Sequence, residues 1–322
     1  MPLRPLQLPR HDAGAQALKR RATATASSTA DAQPPQMATS SGWNTERLWL
    51  DLVPVCPGIS VEVLPEVAST NTLLLQRTAD PLPCLLVAEH QTQGRGRMGR
   101  HWLSAPGASL TFSLALPLAP QRWEGLSLAV GLALAQALEP LQPGQAPRVL
   151  LKWPNDLWLA DEAQVGRKLG GVLIETTQRG SQRLCVVGVG LNVQALPPRA
   201  EAPLAGDGAL AHGHASLQEL CPGIDAPQAL ARVALPLALA LRRFESTGFA
   251  TLQRDYALRD LLQGRALTTT TTPVLHGVAQ GVDDDGALRV LADGAMHRVH
   301  SGEVSVRLQP PLHVQPRPEA AD

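Results

Sequence analysis

The chain has 322 residues with 28 basic and 28 acidic side chains, so its formal net charge is zero and no global field draws it onto nucleic acid or an anionic membrane. Hydrophobic residues make up 44% of it, enough for a sizeable core, yet the longest apolar runs, near Leu128 to Ala135 and Val233 to Leu241, fall far below the ~18 residues a spanning helix needs. Cys56, Cys84, Cys185 and Cys221 form no C-x-x-C pair, which argues against a disulfide framework and for the reduced thiols of a cytoplasmic protein.

In chain order, residues 1 to 42 are rich in Ala, Ser, Thr, Gln and Pro with Lys19-Arg20-Arg21 as their only dense charge, and they read as a disordered tail. No amphipathic helix pair of a DNA-binding module precedes Trp43. From Leu48 strands and helices alternate. Ser69 to Thr78 suits a helix capped by Ser69 whose free N–H groups face an anion or carboxylate. Strands are expected at Leu82 to Glu89, Ser109 to Leu116, Arg148 to Lys152, Lys168 to Thr176 and Leu184 to Val193, the last two joined as a hairpin through Gln178-Arg179-Gly180-Ser181. Helices are expected at Glu124 to Leu138, stopped by Pro140, and at Pro227 to Phe244. Ala195 to Ala215, with its prolines and glycines, reads as a surface insertion, and its His212 and His214 lack further metal ligands.

After Gly264 the runs shorten. Ala266 to Thr272, Val274 to Gly281, Ala287 to Leu291, Met296 to Val299 and Val304 to Leu308 are split by Asp-Gly and Ser-Gly turns, the pattern of a small barrel. The fold class is therefore α+β: a mixed or antiparallel sheet flanked by helices over 43–263, a small β-barrel over 264–310, and a tail over 311–322.

Two segments carry chemistry. The chain has 25 arginines and only three lysines, Lys19, Lys152 and Lys168. A lysine held between the apolar Val149-Leu150-Leu151 and the turn Trp153-Pro154-Asn155-Asp156 is thus a candidate point charge for a carboxylate or phosphate. Gly94-Arg95-Gly96-Arg97-Met98-Gly99-Arg100-His101-Trp102 interleaves glycines that free the backbone with guanidinium forks, a loop suited to wrapping an anion. It has neither the P-loop spacing nor the dinucleotide fingerprint.

In order, Ser69-Thr70-Asn71, Gln91 with the Gly94–Arg100 loop, Lys152-Trp153-Pro154-Asn155-Asp156, Lys168-Leu169-Gly170-Gly171-Val172-Leu173-Ile174-Glu175, Gly188-Val189-Gly190-Leu191-Asn192 and Gly302-Glu303-Val304-Ser305 resemble the biotin protein ligase family, roughly from Asp51 to Leu308. The resemblance implies a class II synthetase-like catalytic domain with an SH3-like C-terminal domain, in the ligase-only class without a DNA-binding domain. It implies biotin and ATP as substrates with Mg²⁺, a biotinyl-5′-adenylate intermediate, and a biotin carboxyl carrier protein of acetyl-CoA carboxylase or a related carboxylase as acceptor. Neither nucleic acid nor membrane is an expected partner, and a monomer or weak homodimer is expected.

By family position, biotin falls to Ser69, Thr70, Asn71, Gln91, Gly94, Arg95, Lys152, Gly171 and Gly188. ATP falls to Arg97, Arg100, Trp102, Lys152, Asn155 and Asn192, with Asp156 as a candidate Mg²⁺ ligand. Lys152, Arg95 and Arg97 are the expected catalytic cations, Lys168 is expected to matter less, and the arginine loop is expected to be mobile until ligand orders it. A lipoate or octanoate ligase or transferase is the alternative on the same fold, and a biotin-responsive repressor the alternative from another class.

Overall fold

The computed structural model describes residues 42–77, 83–161, 166–195, 213–301 and 306–308. The expectations for the two tails, for most of the 195–215 insertion including His212, and for Gly302 to Ser305 lie outside them.

Seven strands form the larger sheet: β1 (Ser60–Val67), β2 (Cys84–Gln91), β3 (Ser109–Pro117), β4 (Val149–Lys152), β5 (Asp156–Leu159), β6 (Arg167–Arg179) and β7 (Gln182–Asn192). Their order is β1-β2-β3-β7-β6-β5-β4; only β1 and β2 run parallel, and the other neighbours are antiparallel. The hairpin expected around Gly180 joins β6 to β7, with Arg179 opposite Gln182 and Gly180 at φ +55°, the sign its two-residue turn demands. Strands β1 and β5 are additions to the sequence reading. Pro65 inside β1 cannot donate to a ladder and demotes the run on paper, but an edge strand tolerates it.

One face of this sheet carries the main core. Leu110, Phe112, Leu114 and Leu116 of β3 and Cys185, Val187, Val189 and Leu191 of β7 alternate onto it. They pack with α1 (Thr45–Leu52), α3 (Leu126–Leu138) and α4 (Ala226–Thr247). The opposite face holds α2 (Thr70–Gln76), whose Leu74 meets Leu86, Ala115 and Val186. At the β4 edge, the segment after α5 (Gln253–Ala257) pairs with the sheet: the Leu151 N–H donates to Arg259 O at 2.7 Å and the Leu261 N–H to Leu151 O at 3.0 Å. Arg259, buried, donates to the buried Glu139 carboxylate at 2.8 Å and thereby closes that edge.

The remaining strands, β8 (Ala266–Thr269), β9 (His276–Val282), β10 (Leu288–Ala292), β11 (Ala295–Val299) and β12 (Val306–Leu308), make an antiparallel sheet of their own in the order β11-β10-β9-β8-β12. No helix among the described residues is long and apolar enough to cross a membrane.

Candidate active site

The face of the large sheet that carries α2 is built from the residues left over when the apolar ones turn to the core. One transverse row of paired residues runs Leu64, Ala88, Thr111, Gly190, Gly171, Asp156, Lys152. Members of such a row point to the same side, ~4.8 Å apart. In the next row Ser113 pairs with Gly188. Gly171, Gly188 and Gly190 thus make a floor without side chains across β6 and β7. Other groups use the space: a Cβ on Gly188 would lie 2.3 Å from Asn71 Oδ1, and one on Gly190 would lie 2.4 Å from Trp102 Cε2.

Polar groups converge above this floor. Ser69 caps α2, accepting from the Thr72 N–H. Gln91 Oε1 accepts from the Thr70 N–H at 2.7 Å. Ser113 Oγ lies 2.7 Å from Thr70 Oγ1 and 2.6 Å from Asn71 Oδ1. The Asn71 amide nitrogen donates to Glu175 Oε2 at 3.0 Å and to Leu173 O at 3.1 Å. Ser69, Thr70, Asn71, Gln91 and Ser113 are all buried, so the bonds that join Gln91, Thr70, Ser113 and Asn71 are protected from water.

The arginine loop is a closed hairpin. The Trp102 N–H donates to Gly94 O at 2.9 Å and the Gly96 N–H to Arg100 O at 2.7 Å, with Met98 at φ +57° and Gly99 at φ +71° turning the tip. Three contacts hold it in this position. Arg95 donates to Glu175 Oε1 at 3.1 Å and to Thr72 Oγ1 at 3.2 Å. Arg97 donates to Ser301 O, just beyond the end of β11. The Trp102 ring lies on Gly190, and its buried indole N–H meets no acceptor among the described residues. Burial holds the Arg97 pKa below its ordinary value against the opposing charge of Asp156.

The two lysines of the site sit differently. Lys168 Nζ pairs with Asp156 Oδ1 at 2.8 Å and would stand 3.6 Å from a Cβ on Gly171, which puts it at the end of the glycine floor. The Lys152 ammonium sits over the Trp158 ring, 4.7 Å from its centroid, with its backbone two strands, ~10 Å, from Gly171. The turn between them is fixed from three sides. The Trp153 indole donates to Gly286 O at 3.1 Å, Ser127 Oγ to Pro154 O at 2.9 Å, and the Asn155 amide to Val172 O at 2.8 Å. Asn192, buried, spends its amide on Ala215 O at 3.1 Å and Lys168 O at 3.3 Å. Both asparagines expected to touch ATP therefore hold backbone carbonyls. Asp156 offers a single carboxylate already held by Lys168, so the side chains here do not fit a resident Mg²⁺, which would need more oxygen donors than this one.

Sequence reasoning missed Ser113 and Ser104, whose Oγ accepts from the Gln91 N–H at 2.9 Å, and gave Glu175 no role. A signal for Ser113 existed: Ser109, Thr111 and Ser113 put a polar residue at every second position of an otherwise apolar strand.

Residues 63–192 match the biotin/lipoate A/B protein ligase family and residues 264–307 the biotin protein ligase C-terminal domain. The bifunctional ligase/repressor BirA of Escherichia coli is 35% identical over 255 residues, covering 78% of this chain and 75% of that protein. The biotin–[acetyl-CoA-carboxylase] ligase of Mycobacterium tuberculosis is 31% identical over 255 residues, covering 76% and 88%. Among solved structures, the biotin protein ligase of Aquifex aeolicus in complex with biotin and ATP superposes with a TM-score of 0.62 at 28% identity, over 78% of this chain and 99% of that one.

Proposed function

The chain belongs to the biotin protein ligase family, and we propose that the glycine floor between α2 and the arginine loop is where it performs the ATP-dependent attachment of biotin to protein. The observation that carries this placement is the bare strip of Gly171, Gly188 and Gly190, with buried amide and hydroxyl groups and Arg95 toward α2 and with Lys168 at its end. A flat, mostly apolar bicycle with a polar ureido edge needs such a slot with a few convergent donors and acceptors. Thr70, Asn71 and Gln91 supply them, with Ser69 and the Gly94 backbone at the rim.

In the first half-reaction a biotin carboxylate oxygen bonds to the α-phosphorus of ATP and pyrophosphate leaves. Two anions meet and charge grows on the equatorial oxygens, so fixed cations are required. We assign Lys168, the ammonium nearest the floor, to the carboxylate, and Lys152, Arg97 and Arg100 to the phosphates. Trp102 backs the adenylate. Asn155 and Asn192 orient backbone, and Mg²⁺ enters only as the counter-ion of ATP. In the second half-reaction the amine of an acceptor lysine, on a biotin carboxyl carrier domain, bonds to the anhydride carbonyl carbon and loses a proton as AMP departs. Four free cysteines suit the cytoplasm for this work. We read residues 43–263 as the catalytic domain and 264–310 as the C-terminal domain, acting as a monomer or weak homodimer.

Mixing the protein with biotin, ATP and Mg²⁺ should yield biotinyl-adenylate and pyrophosphate, with excess lipoate failing to compete. Lys168→Ala should slow pyrophosphate release in a single turnover by about 10² to 10³, the scale of losing one charge-stabilising donor. Lys152→Ala should cost less, chiefly in KM for ATP. The reverse order would return the carboxylate to Lys152.

A further inference from the structure

Among the described residues, Glu175 is the acid that converges on the floor from the α2 side, and it touches both α2 and the arginine loop. Its two carboxylate oxygens are divided: Oε2 accepts from the Asn71 amide at 3.0 Å, and Oε1 from the Arg95 guanidinium at 3.1 Å. Asn71 belongs to the buried network that reaches through Ser113 and Thr70 to Gln91. Arg95 belongs to the root of the arginine loop. Glu175 itself stands on β6, four residues past Gly171, in the long hairpin with β7 that forms the rigid middle of the sheet.

We propose, on the basis of the ligase reading above, that Glu175 is a positioning residue that sets the Asn71 amide over Gly188 and seats the root of the arginine loop at the same time, so that the pocket wall and its cover share one carboxylate. The geometry of Asn71 makes the first half specific. With its nitrogen spent on Glu175 and Leu173 O, its oxygen must face Ser113, and the amide cannot flip. For the second half, the other side-chain partner of Arg95 among the described residues is Thr72 Oγ1, a neutral hydroxyl at 3.2 Å that leaves most of the hold to the charge-assisted bond. An ionised carboxylate is the only side chain able to accept from both donors at full strength. Glutamine keeps the shape but turns one of the two acceptors into a donor facing a donor.

Glu175→Gln should therefore loosen the loop in the absence of any ligand. Trypsin cleavage after Arg95, Arg97 and Arg100 in the full chain should speed up about ten- to a hundredfold, the range for losing a hydrogen bond to a charged group. The dissociation constant for biotin should rise about tenfold or more. Thr72→Val, which touches only the Arg95 end, should accelerate cleavage more weakly and leave biotin affinity close to that of the wild type. In a double-mutant cycle, Glu175→Gln and Arg95→Ala should be far from additive in the cleavage rate. Unchanged cleavage and biotin affinity in Glu175→Gln, or additivity in the cycle, overturns the proposal. A wild-type protein that fails to bind biotin overturns the ligase reading instead, while the cleavage rates still report on Glu175.

Discussion

Adding one methyl group at Gly190 isolates the seat of Trp102. The new Cβ would lie 2.4, 2.5 and 2.8 Å from Cε2, Cζ2 and Nε1 of the indole, all parts of a rigid ring whose own backbone is tied to Gly94. Overpacking of this kind costs about 1–3 kcal/mol. The strand itself gains ~0.5–1 kcal/mol from exchanging glycine for alanine. The ring can escape by leaving its seat, so the cost falls on loop closure rather than on the fold. A penalty of 1–3 kcal/mol lowers the seated population about 5- to 160-fold. Gly190→Ala should thus keep a melting temperature within a few degrees of the wild type while releasing biotinyl-adenylate at least about fivefold faster in a chase experiment. Gly171→Ala is the comparison: the atoms nearest its Cβ would be the ends of Asp156 and Lys168, at 3.3 and 3.6 Å, so the loss there should fall on adenylate formation and not on retention. A Gly190→Ala protein that holds the intermediate as long as the wild type would refute the reasoning, since the indole would then have no need of the bare strand.

Two further outcomes concern the β4 edge. Burial raises the Asp260 carboxyl from the usual 3.8 to about 6 against the pull of two backbone N–H donors, Leu262 and Gln263. A carboxyl whose folded pKa lies above its unfolded one costs the fold nothing below pH ~4 and its full penalty, at most ~3 kcal/mol, above pH ~6. Asp260→Asn should therefore gain on the wild type in urea midpoint as pH rises from 4 to 7, and a pH-independent difference would contradict the cause given. Glu139→Ala strands the buried Arg259 and frees the Arg148 and Val149 N–H groups, so it should lose about 3–5 kcal/mol in denaturant unfolding; a loss under ~1 kcal/mol would show that the pair is solvated in solution.

Where periodicity and punctuation agree, the sequence is easy to read. The β6–β7 hairpin follows from alternation around Gly180, and α2 from the cap at Ser69. Strand β1 was hidden because Pro65 is a local veto whose weight depends on whether the strand lies at an edge, and that is a property of the whole sheet. In the site, glycines and arginines stand out by composition, so the floor and the loop were visible in outline. Partner choice was not visible. Local context singles out Lys152, at a strand end before a turn; that Lys168 stands beside Gly171 depends on the register that puts Gly171 between Gly190 and Asp156. Glu175 ends a motif and reads as a strand residue until the chain brings Asn71, 104 positions earlier in sequence, against it.

The small C-terminal sheet enters the site through carbonyls that no residue-type argument can flag. Gly286 O holds the Trp153 indole, and so the turn that carries Lys152 and Asp156, while Ser301 O holds the Arg97 guanidinium. Both acceptors are backbone atoms in loops next to β10 and β11, so their position is set by the sheet's own fold and not by side-chain identity. On the ligase reading, the cations assigned to the phosphates, Lys152 and Arg97, therefore take part of their alignment from backbone atoms of this sheet. If those assignments hold, loosening that sheet should be felt in ATP affinity before it is felt in biotin affinity, since the network from Gln91 to Glu175 lies within the large sheet and α2.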